Sequence, residues 1–174
     1  MKELKVNSIK VNFLYNTTYQ ILAIFIPLVT TPYLSRVLGA EKIGIFSYAF
    51  SIVYYFGLFA MLGVNNYGNR SIACVRDNVQ DRSRTFWSIY VFQLIASIVM
   101  LIVYSIYVIF LCDNKSIGLI MIMYIFSAAL DINWFYFGIE QFKLTTIRNI
   151  FVKLFTVIGV FCFVKTRSDV YIYA

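Results

Sequence analysis

Residues 43–64 read IGIFSYAFSIVYYFGLFAMLGV. No charged side chain interrupts them. About 20 apolar residues in a helix cover a hydrocarbon core of about 30 Å. A barrel strand would instead alternate polar and apolar residues over about 10 positions. The stretch therefore predicts a membrane-spanning helix. On the same ruler the chain yields four more spans, at about 13–34, 86–111, 117–137 and 147–164. Residues 169–174 read as a sixth helix just entering the membrane. The expected fold is all-α and integral to the membrane: a single bundle, 1–174, of five transmembrane helices plus the start of a sixth. The third span is long enough to tilt or to project.

Composition supports this class. Apolar residues make up 61% of the chain and charged residues 13%. A soluble domain runs at roughly 45–50% and about 25%, so a water-facing surface could not be covered here. The net charge of +7 is not a nucleic-acid footprint, because the basic residues fall in short breaks between apolar runs. The chain has no His, which removes imidazole metal sites and the usual general base. Cys74, Cys112 and Cys162 are far apart and form no CxxC pair, so they read as small packing residues. No catalytic residue, metal or cofactor is expected. Glu3 interrupts the basic start and no small-x-small cleavage site follows, so the N-terminus reads as a retained span.

The charges set an orientation. With the N-terminus in the cytoplasm, inside segments hold Lys2, Lys5, Lys10, Arg70, Arg76, Arg82, Arg84, Lys143, Arg148 and Lys153. Outside segments hold Arg36, Lys42, Lys115, Lys165 and Arg167. The excess lies on the side that the positive-inside rule requires. Its strongest element is NRSIACVRDNVQDRSR at 69–84. Asn65, Asn66 and Gly68 read as the helix stop of the second span.

A transport route needs polar groups inside an apolar shell, and these should share helix faces. In the first span Asn12, Asn16 and Gln20 step by four, with Thr30 and Thr31 beyond. In the third, Tyr90, Gln93 and Ser97 share a face. In the fourth, Tyr124, Ser127, Asp131 and Trp134 do, with Phe135 and Gly138 beside them. Such residues line a cavity or simply hydrogen-bond neighbouring helices. Asp131 is the acid placed inside a span. A carboxylate there costs about 2.5–3.5 kcal/mol on the insertion scale. It borders a cavity, coupling transport to an ion or pairing with a base, or it makes a structural hydrogen bond to a nearby Tyr or Asn. Pro27 and Pro32 predict a kink in the first span.

Three segments carry a family resemblance. TTPYLSRVLGAEKIGIFSYAFSIVYYF (30–56), LGVNNYGNRSIACVRDN (62–78) and SAALDINWFYFGIEQFKLTTIRN (127–149) resemble the polysaccharide biosynthesis proteins of the Wzx type. These are O-antigen and capsule repeat-unit flippases of the multidrug/oligosaccharidyl-lipid/polysaccharide exporter superfamily. The resemblance runs from about Val11 to Lys165. It implies two helical bundles with a cavity between them, of which this chain corresponds to the N-terminal one. Relatives have about a dozen or more helices, so the chain is expected to be a fragment. The implied activity is not enzymatic. It is the movement of an undecaprenyl-diphosphate-linked oligosaccharide across the bacterial cytoplasmic membrane for surface polysaccharide synthesis. The implied partners are that lipid-linked oligosaccharide, membrane lipids and other polysaccharide-assembly proteins. Arg36 matches the arginine of the turn motif, and a guanidinium suits phosphate. Asn16, Gln20, Arg36, Gln93, Asp131 and Trp134 are thus the candidate cavity residues.

Three other readings stay open. One is a cation-coupled drug exporter of the same superfamily. Another is a membrane-embedded polysaccharide polymerase or ligase, against which the short outer segments speak. A purely structural membrane subunit is a third.

Overall fold

The computed structural model describes the backbone of residues 2–173 and the side chains of 17, 20, 21 and 23–173. Its elements are α1 (Lys2–Met61), α2 (Val64–Val75), α3 (Val79–Phe110), α4 (Lys115–Leu130), α5 (Asn133–Gly138), α6 (Phe142–Phe163), a 3-10 turn (Arg167–Asp169) and α7 (Val170–Tyr173). No strand occurs among the described residues. Among the described residues, four segments are long and apolar enough to cross a membrane: Ala23–Val75, Val79–Phe110, Lys115–Gly138 and Phe142–Phe163. At most 22% of each apolar window is buried, and only 11% in α6. Phe151, Phe155 and Ile158 of α6 stand open. In water such a surface would drive association; in lipid it is the solvated face. The chain is an all-α membrane protein.

The helix boundaries depart from the sequence expectation in four places. The first two spans are merged into α1, whose interruption is a single residue. Gly39 has φ 81 and ψ 160, a backbone region open essentially to glycine alone. The helix runs through Pro27 and Pro32, and the break lies at Gly39 instead. The stop expected at Asn65, Asn66 and Gly68 lies earlier, at Leu62 (φ 42) and Gly63 (φ 74). The two asparagines and Gly68 belong to α2. α3 begins well before residue 86, because the Asn78 Oδ1 accepts the amides of Gln80 (3.0 Å) and Asp81 (3.4 Å) as an N-cap. The expected fourth span is cut in two, with α4 ending at Leu130 and Asp131 extended at φ −75, ψ 109.

Side-chain pairings fix the directions of the helices. Phe56 meets Tyr104 at 5.1 Å, while Tyr48 and Tyr107 line one cavity. The second limb of α1, 40–61, is therefore antiparallel to α3. Tyr104 donates to the Gly118 carbonyl (3.2 Å), and Gln93 to that of Ala128 (2.8 Å). α4 is thus antiparallel to α3 in turn. Both limbs of α1 flank the chain end: Tyr33 packs on Phe161, and Phe46 on Tyr173. The larger core holds Leu34, Leu38, Val53, Tyr104, Ile117, Ile125 and Val164. A smaller one holds Val64, Ile72, Ile89 and Trp134. Gly39, Asp113 and Arg167 mark one end of the bundle; α2, α5 and the arginine-rich connector mark the other.

Candidate functional site

The site grows from the break at Asp131. A helix end leaves its last carbonyls without intrahelical donors. In a bilayer no water is there to take them, so protein groups must. Gln93 of α3 does so. Its Nε2 donates to the carbonyls of Ala128 (2.8 Å), Ala129 (3.3 Å) and Asp131 (2.9 Å). Its Oε1 accepts from Trp134 Nε1 at 2.9 Å. Gln93 and Trp134 are both 0% exposed, so this pair is desolvated and its polar side-chain groups are all partnered.

Trp134 in turn fixes α5. It stacks on Phe86 at 5.5 Å, and its ring lies so close to α2 that a Cβ on Gly68 would sit 2.5 Å from it. A Cβ on Gly138 would sit 2.6 Å from Ile72. Two glycines thus let α2 and α5 approach as small residues do between membrane helices. Outside the spans, Arg76 closes the arrangement with an ion pair to Glu140 at 2.5 Å. The Glu140 hydrogen bond and charge push the Arg76 pKa up. Glu140 itself sits at φ 59.

Two open clefts meet at the break, and Asp131 and Ser127 line both. The first, of 380 Å³, lies toward α1 and is lined by Tyr54, Gly57, Met61, Asn65 and Tyr124. The second, of 550 Å³, lies toward α6 and is lined by Phe126, Leu130, Asn133, Arg148, Asn149 and Val152. The Asp131 Oδ1 accepts the Asn133 amide at 2.9 Å. The side chain of Asn133 accepts from Arg148 Nη2 at 2.7 Å. Asn133 therefore ties a carboxylate and a guanidinium into one cleft without an ion pair between them.

The chain matches the family model described as "Polysaccharide biosynthesis protein" over residues 9–174. It belongs to that family. It is also 30% identical over 168 residues to the "Putative O-antigen transporter" of Escherichia coli (strain K12). That match covers 94% of this chain and 40% of the relative's length. No solved structure matches the chain. With the family and the apolar helices together, the chain is a multi-pass membrane protein.

The candidate residues of this family member fall into three groups. Gln93, Asp131 and Trp134 come together, but Gln93 and Trp134 form the buried wall rather than an open surface. Asp131 stands at a helix end, not inside a helix. Arg36 is exposed beside Gly39, at the opposite end of the bundle, and Gln20 is exposed on α1. The side chain of Asn16 lies outside the described residues. Arg148, Asn133 and Asn149 escape the stripe pattern. A signal for them exists in "DIN" at 131–133. Asp and Asn two residues apart compete with the helix for backbone bonds and mark a break. Once the helix breaks there, polar residues at the start of the next helix come within reach.

Proposed function

We propose that this chain forms the N-terminal bundle of a flippase. Gly39 divides α1 into two crossings, so that the chain makes five spans and α7 (Val170–Tyr173) begins a sixth. The arginine-rich connector and the N-terminus lie in the cytoplasm, and the membrane is the bacterial inner one. The whole transporter moves an undecaprenyl-diphosphate-linked oligosaccharide repeat unit to the outer leaflet, without chemical change to it. The family match along residues 9–174 carries this reading. The name of the Escherichia coli relative agrees with it. The polar cleft at Asp131 suits it physically. Intramembrane carboxylates and guanidinia mark substrate and ion pathways. In this reading Asp131 borders the route at the cytoplasmic end, Arg36 meets the diphosphate at the outer end, and Asn16 and Gln20 belong to its polar lining.

The test is complementation of a strain that lacks its repeat-unit flippase. A form that carries a second bundle should restore surface polysaccharide, and its Asp131→Asn variant should restore less at equal membrane level. Restored drug resistance without polysaccharide would favour an exporter and remove the flippase reading.

A further inference from the structure

Arg148 is a cation held by neutral groups. Its Nη2 donates to Asn133 Oδ1 (2.7 Å) and Asn149 Oδ1 (2.9 Å), and its Nε to Asn149 Oδ1 (3.2 Å). Arg148 takes part in no ion pair among the described residues. The two asparagines therefore orient the guanidinium and leave it without a bonded carboxylate. A guanidinium so placed is preorganised for an anion with several oxygens, because its fork donates parallel hydrogen bonds.

The walls of the cleft narrow the class of anion. Met123, Phe126, Leu130 and Val152 line it and are all at least half exposed. They continue the apolar surface that faces the bilayer. A free anion would gain nothing from them, whereas a lipid would bury its chain there and bring its phosphate to Arg148. Basic pockets between spanning helices bind anionic headgroups in this way. Asp131 lines the same cleft, and its carboxylate repels an anion, so the headgroup belongs at the α6 side.

We propose that the cleft between α4 and α6 binds the phosphate headgroup of a membrane lipid, with Arg148 as its ligand and Asn133 and Asn149 as positioning residues. The inference does not depend on the transport reading. A chain that restores no polysaccharide would still retain the lipid, and a transporting chain that retains none would refute this inference alone.

The test uses the 174-residue chain in phosphatidylcholine nanodiscs. They are doped in parallel with phosphatidylglycerol or with undecaprenyl diphosphate, and retained lipid is read by native mass spectrometry. Arg148→Gln should lower retention by about tenfold or more, the scale of lost charge-assisted hydrogen bonds. Arg148→Lys, which keeps the charge without the fork, should fall between. Asp131→Asn should retain as much lipid or more, and Arg84→Gln, outside the cleft, should match the wild type. A loss with both lipids assigns the site to anionic headgroups in general; a loss with one assigns it to that headgroup. Retention that is unchanged in Arg148→Gln overturns the proposal. So does inorganic diphosphate that binds as tightly as either lipid, since the apolar walls would then contribute nothing.

Discussion

Two helical runs of this protein are interrupted, by opposite means. At Gly39 the backbone turns within one residue, because φ 81 and ψ 160 are open to glycine. At Asp131 the helix simply ends, and side chains from elsewhere complete it. Gln93 reaches across from α3 to take three carbonyls, Trp134 takes the Gln93 oxygen, and Asn133 binds the Asp131 carboxylate. The first break changes direction and requires no chemistry. The second gathers polar groups inside an apolar bundle, and the clefts follow from it. An interruption that must be satisfied by side chains is the one that builds a site.

The largest expected effect separates the two breaks. Gln93→Leu keeps the volume but strands the carbonyls of α4 and the Trp134 N–H. Each buried unpaired group costs roughly 1–3 kcal/mol, so a loss of about 3 kcal/mol or more is expected in detergent unfolding. A loss below about 1 kcal/mol would mean that the carbonyls at Asp131 find other partners. Next comes Gly68→Ala. Its Cβ would press on the Trp134 ring at 2.5 Å, an overpacking worth about 1–3 kcal/mol. It should also shift the fluorescence of Trp134. Unchanged emission would show that α5 is not seated on α2. Gly39→Ala should lose about 1–2 kcal/mol by strain alone, without touching the clefts. Lipid retention at Arg148 should therefore survive it.

The smallest effect lies on the Gly39 side. The Asp169 carboxylate accepts the amides of Lys165 (2.9 Å) and Thr166 (2.7 Å). These bonds hold its pKa below the ordinary 3.8. Because the folded value is depressed, its contribution is present above the ordinary aspartate pKa. It fades as the pH falls through the lowered value. The stability difference between wild type and Asp169→Asn should therefore shrink in acid. A difference that grows in acid would contradict the assigned bonds.

Much of the fold is legible in the sequence, and the reason is the bilayer. Runs such as 43–64 are set by thickness and apolarity, which need no partner to be read. The cut between α4 and α5 is not legible in that way, since Ala129, Leu130, Ile132 and Trp134 keep the run apolar through it. Gln93 and Asp131 stand out as polar residues in spans, yet their roles depend on helix rotation. Gln93 bonds to residues 35 to 41 positions away, and no periodicity within one helix encodes that. Arg148 reads as one more inside charge until the break brings Asn133 to it. Pro27 and Pro32 were the visible helix breakers, but α1 is interrupted at a glycine.

The central claim is that the break at Asp131 opens, through the cleft toward α1, on a wet, polar interior while the outer helix faces meet lipid. Spin-label accessibility tests it most directly, with the native cysteines replaced and single labels at Tyr54→Cys, which lines the cleft toward α1 and not the one toward α6, and at Phe155→Cys, exposed on α6. In reconstituted membranes the Tyr54 label should be quenched by a water-soluble nickel chelate and the Phe155 label by oxygen. A Tyr54 label that responds to oxygen and not to nickel would contradict the account.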